Sequence, residues 1–202
     1  NLPVVLKLQG EKISTAPTFA GSVRIAEFNP VELMEAIGQP LPVLKDNSAL
    51  TDLSMKANLL GSANQWTIND FKLKIDGSTL TGRLGISDLK TSALFWDLEL
   101  DHFNLDGYFP KDTDQSKESD SQQVEQTGAD QPLPIEILRG LDLQGELRIG
   151  ALEFSGMDLS NLKLNVQAKN GEIQIDPFQA EMYQGQLVLT AKANAQGELL
   201  KL

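Results

Sequence analysis

Along most of the chain, apolar residues recur at every second position. Leu80, Gly82, Leu84 and Ile86 alternate with Thr79, Thr81, Arg83 and Gly85; Leu94, Trp96, Leu98 and Leu100 alternate with Phe95, Asp97, Glu99 and Asp101. Leu162, Leu164, Val166 and Ala168 alternate with Lys163, Asn165 and Gln167, and the same period continues through Ile173, Ile175, Phe178, Ala180 and Met182 to Leu187, Leu189, Ala191, Ala193 and Ala195. A period of two puts one set of side chains on each side of an extended strand. These are therefore antiparallel strands with one apolar face and one wet face. Trp66 and Ile68 have one parity, while Phe71, Leu73 and Ile75 have the other, so a bulge is expected near Asn69-Asp70. Asp76-Gly77 and Asn170-Gly171 are hairpin turns by composition. At ordinary strand lengths the chain holds roughly nine to eleven strands.

Two short helices are expected among them. Asn29 is an N-cap, Pro30 takes the first helical position, Glu32 completes a capping box, and Phe28 with Leu33 forms a hydrophobic staple. Gly38 ends this helix, assigned to 30–37. The second runs from Pro134 to Arg139, with Gly140 after it. An internal repeat is suggested by Asp70–Ile75 beside Asn161–Val166, and by Thr81–Leu84 beside Gln184–Leu187, the second copy holding one extra strand from Gly171 to Ile175.

Composition narrows the chemistry. The 202 residues contain 17 Lys plus Arg against 28 Asp plus Glu, a formal charge of -11, with one His and no Cys. Disulfides, thiolate metal sites and a Cys nucleophile are excluded. A single imidazole rules out sites that need two. An acidic chain is a poor match for nucleic acid, whose phosphates require a basic surface. The segment 111–131 is almost wholly polar; it has six acidic and two basic residues and reads as a mobile acidic loop. Asp112 and Asp114 lack the glycine and terminal Glu of a calcium loop. His102 follows Asp101 at a strand end, and no nucleophile elbow accompanies it, so it reads as a surface histidine. Adjacent strand positions place Asp101 and His102 on opposite faces. The carboxylates Asp97, Glu99 and Asp101 read as a solvated strand face. No stretch approaches the ~20 apolar residues that cross a bilayer, and no signal peptide is visible. The apolar start at Leu2–Leu6 and the end at Leu199–Leu202 both look cut from a longer protein.

The apolar strand faces then dominate. Two short helices cannot cover so much sheet, so these faces must meet in a closed sandwich or barrel, curl into a groove, or bind an apolar ligand. A closed core is the simplest of these.

Several phrases, in order, carry a family resemblance. They are Glu27–Pro30 leading to Glu35–Pro42, then Asp46–Leu50, Phe71–Gly82, Leu105–Pro110, Leu133–Leu143, and Asp176–Phe178 leading to Tyr183–Gly185. From about residue 24 to 197 the chain resembles the AsmA family of bacterial envelope proteins, and the hydrophilic insert after Tyr108-Phe109-Pro110 is similar to the family as well. The resemblance implies a periplasmic region whose parent is anchored in the inner membrane of a Gram-negative bacterium and acts in outer-membrane biogenesis. It further implies kinship with curved β-sheets that conduct phospholipids along an apolar groove. It implies no catalytic residues, metal or cofactor.

The expected fold is mainly β: a curved antiparallel sheet forming a groove or partly open barrel, with two short helices. Its parts are a first β segment, 1–110; the acidic loop, 111–131; and a second β segment, 132–202, together making one continuous domain. The expected function is a non-enzymatic module that shields or conducts phospholipid tails. Phe71, Leu73, Ile75, Leu84, Ile86, Leu98, Leu100, Leu164, Val166 and Leu189 are the candidate lining. The alternative is a scaffold with a closed core that contacts envelope assembly proteins.

Overall fold

The computed structural model describes residues 3–39, 41, 43–111 and 138–196. Ten strands form one sheet in the order of the chain: β1 (Val4–Glu11), β2 (Thr18–Phe28), β3 (Leu53–Ser62), β4 (Trp66–Ile75), β5 (Ser78–Asp88), β6 (Ala93–Asn104), β7 (Asp142–Phe154), β8 (Met157–Lys169), β9 (Glu172–Met182) and β10 (Gly185–Asn194). β1 and β10 are the two edges and do not pair with each other, so the sheet is not a closed barrel, and it is not a two-sheet sandwich. Every neighbouring pair is antiparallel except β6 and β7, which run parallel in register from Leu94↔Leu143 to Asn104↔Glu153. This corrects the wholly antiparallel expectation. A parallel pair needs a connection that travels the length of the strand, and the stretch between Asn104 and Asp142 makes that return. The acidic segment lies within it and, apart from Lys111, outside the described residues.

Local chemistry accounts for the strand ends. Asp76-Gly77, Ser155-Gly156 and Asn170-Gly171 each have two successive positive φ angles, as a two-residue hairpin turn requires. Tyr183-Gln184 adopts the same geometry without glycine. The Asn69-Asp70 bulge is present: the register of β4 slips against both β3 and β5 there, and Asp70 has φ 48°. Asn161 in β8 has φ 50°, so the first pair of repeat phrases shares a mid-strand left-handed residue. The second pair does not match. Thr81–Leu84 lies inside β5, whereas Gln184 belongs to the turn before β10. Gly171 belongs to the β8–β9 turn, and the residues from Glu172 to Ile175 begin β9 rather than forming an extra strand.

α1 (Pro30–Ala36) starts as expected and ends one residue early. The Asn29 side chain accepts hydrogen bonds from the backbone N–H of Val31 (2.9 Å) and Glu32 (3.2 Å). Past its end, Gly38 has φ 74°. The N–H of Gln39 reaches back to the Met34 carbonyl, which satisfies a last-turn acceptor. None of the residues of α1 is buried, so it adds little to the core. The second expected helix, 134–139, lies mostly outside the described residues; of it, Leu138 and Arg139 are helical.

Candidate functional site

Cross-strand partners point to the same side of a sheet, so the register assigns every strand residue to a face. One row runs Met55, Leu73, Leu80, Leu100, Ile149 and Leu162 from β3 to β8. A second runs Ile68, Leu84, Trp96, Gly145, Val166, Ile175 and Ala191 from β4 to β10. Leu6, Val23 and Ala57 continue the same face to the β1 edge. One side of the whole sheet is therefore apolar. The other side carries Lys7, Arg24, Lys56, Lys72, Asp97, Glu146, Lys163, Gln179 and their neighbours.

All ten candidate lining residues fall on the apolar side. Phe71 and Gly82 are partners, as are Leu98 and Gly82; Ile75 lies opposite Leu53, Ile86 opposite Leu94, and Leu189 opposite Phe178. The bulges make this possible. At Asn69-Asp70 the extra residue turns Phe71 back to the side that Ile68 occupies. In β9, two residues, Asp176 and Pro177, stand opposite one on each neighbour and do the same for Phe178. The spacing of three between Ile175 and Phe178 signals this second bulge in the sequence.

Little covers this side. Among the described elements, extensive contact joins only strands adjacent in the sheet. The densest packing is a patch of Ile149, Leu162 and Ala180 with Leu100, Leu147, Leu164 and Phe178 around it, all from one sheet. Elsewhere the lining is half-buried, and exposure rises at the edges to 63% at Leu6 and 47% at Leu189. One cavity of about 940 Å³ lies across the ends of β5 to β10, with Leu94, Leu143, Ala168, Ile173 and Ala193 among its lining and Lys192 beside them.

The polar groups at the other sheet end are structural ties. The Asp76 carboxylate accepts from the backbone N–H groups of Leu50, Thr51 and Asp52 and from the Tyr108 hydroxyl. Partial burial opposes its ionisation but is outweighed by these donors, led by Tyr108, so its pKa lies below the ordinary carboxylate value. Burial and the bond to Asp76 raise the Tyr108 phenol. Asp106 accepts from the N–H groups of Ser155 and Gly156, both at 2.7 Å, and holds the β7–β8 turn. Residues 43–46 pair with 107–111 in a short antiparallel strip. His102 is 58% exposed, and its Nδ1 lies 3.1 Å from Asp101 Oδ1. The two side chains thus meet, contrary to the opposite-face reading. Asp97 and Glu99 are held by Arg148, which also bonds Glu146.

The AsmA family model matches residues 6–199, nearly the entire chain. The chain belongs to the AsmA family. Membership associates it with the bacterial envelope and with outer-membrane biogenesis. The matched span takes in all ten strands except the first two residues of β1. No curated protein and no solved structure matches the chain. Among the described residues, no helix is long and apolar enough to cross a membrane.

Proposed function

We propose that this AsmA chain is a non-enzymatic periplasmic module that shields or conducts phospholipid acyl chains along the apolar face of its sheet. In this reading its parent is anchored in the inner membrane. The observation that carries the reading is the unbroken apolar face across ten strands, with no second layer packed on it among the described elements. An apolar surface of that extent has a binding role far more often than none. Ile149 is only 8% exposed although its packing partners all belong to the same sheet. That supports a sheet bent toward its apolar side, and the bulges supply a physical cause of bending. The cavity shared by six successive strand ends supports the same shape. A tail gains about 0.8 kcal/mol per buried methylene, so eight methylenes contribute roughly 6 kcal/mol, enough for measurable binding.

The test is native mass spectrometry and lipid extraction of the purified chain. Phospholipid should co-purify and should be lost in Leu73→Asp and in the milder Leu84→Ser, with unchanged circular dichroism. Folded protein that never carries lipid, and never photo-crosslinks to it from Leu98, overturns the reading for this chain. A second reading, a scaffold for envelope assembly proteins, is favoured by the exposed edges β1 and β10. Protein adducts from a crosslinker at Leu8, without lipid adducts at Leu98, would select it.

A further inference from the structure

The polar face carries a positive strip in a chain of net charge -11. Arg24 of β2, Lys56 of β3 and Lys72 of β4 are direct cross-strand partners. Lys74 lies two residues along β4 on the same face, opposite Ser54 and Thr79. With strands about 4.8 Å apart, four cationic stems rise from an area about 10 Å by 7 Å. Like charges directly opposite one another destabilise a sheet. Among the described residues, none of the four has an ion-pair partner within 4.0 Å. Nearby carboxylates are engaged by other partners. Asp70 accepts from Asn58 Nδ2 at 2.9 Å, and Asp97 and Glu99 lie beyond Thr81 and are held by Arg148. A depression of about 410 Å³ is lined by Arg24, Lys56, Lys72 and Lys74 with Ser54 and Glu27 among them.

We propose that this strip binds a phosphate-bearing group with two or more negative charges. A guanidinium engages phosphate oxygens in a bidentate fork, while ammonium groups act as converging point charges. One compact polyanion would replace three mutual repulsions with attractions. The side chains of an acidic polypeptide, spaced along an extended segment, fit so small a cluster less well. The group is either the headgroup of an anionic lipid at a bilayer surface or a soluble phosphate ester. The site faces away from the apolar side, so it stands or falls independently of acyl-chain binding.

The full chain should be titrated with inorganic pyrophosphate by heteronuclear NMR at low salt, and sedimented with phosphatidylcholine vesicles with and without phosphatidic acid. Binding should map to β2–β4, weaken as salt is added, and fall about tenfold in Lys56→Gln/Lys72→Gln. Lys12→Gln/Lys90→Gln, an equal change of charge in the β1–β2 and β5–β6 turns, should leave it unaltered. The double variant relieves repulsion and should melt no lower than the parent. Binding to anionic vesicles alone identifies a lipid headgroup; binding to pyrophosphate alone identifies a soluble ester. Absence of both, or binding that survives the double substitution, overturns the proposal.

Discussion

Asp76 shows what one residue does here. The sequence marks it as half of a turn, and it is one; but its carboxylate also gathers 50–52 and Tyr108 from 24 to 32 positions away. Nothing in a local pattern encodes such a partner, which is why the acceptor role was not legible. Asp76 brings the phrases at Asp46–Leu50 and Leu105–Pro110 together with Phe71–Gly82 around one carboxylate. Asp76→Ala should cost about 2 kcal/mol, the scale of hydrogen bonds to a charged acceptor, read as a lowered melting temperature. The ionised form is favoured by folding, because the folded pKa lies below the unfolded one. Its contribution is therefore complete above about pH 4 and is lost as pH falls through the lower folded value. Acid melts of Asp76→Asn should show a shallower loss over that window than the parent; identical slopes would dismiss the role.

At the scale of elements, strand parity was the most legible property. Alternation alone put all ten candidate lining residues on one side, and the slip at Asn69-Asp70 announced its bulge. What alternation cannot give is the order and direction of strands, so the parallel junction of β6 and β7 was invisible. Hairpins with Asp-Gly and Asn-Gly were readable, whereas Tyr183-Gln184 carries no turn signal and is imposed by the pairing on either side. Packing between elements has its own marks. Trp96 lies opposite Gly145, and a Cβ on that glycine would sit 1.9 Å from the indole. Trp66 opposite Gly61 repeats the arrangement across β3 and β4. Each ring fills space that its partner vacates. Gly145→Val should displace Trp96, shift tryptophan emission to the red, and destabilise by about 2 kcal/mol, as overpacking does.

At the scale of the molecule, among the described residues the open sheet leaves two long edges, β1 and β10. Val5 and Val188 are exposed on the polar side of β1 and β10, where Lys7 and Lys192 are the strands' own cations, so at these two positions no charge guards the edge. Unpaired, apolar edges template further strands. Sedimentation velocity of the isolated chain should show association that grows with concentration, and Val5→Lys with Val188→Lys should suppress it without loss of β content. Concentration-independent monomer in the parent would contradict this. The strand order has a consequence in time as well. Each strand from β2 to β6 pairs with the one made just before it, so a chain emerging from the ribosome can close each ladder as it appears. Only at the sixth strand must synthesis run on, through nearly forty residues, before the seventh can lie alongside; that pause, rather than any later step, is when the growing sheet stands unfinished at its middle.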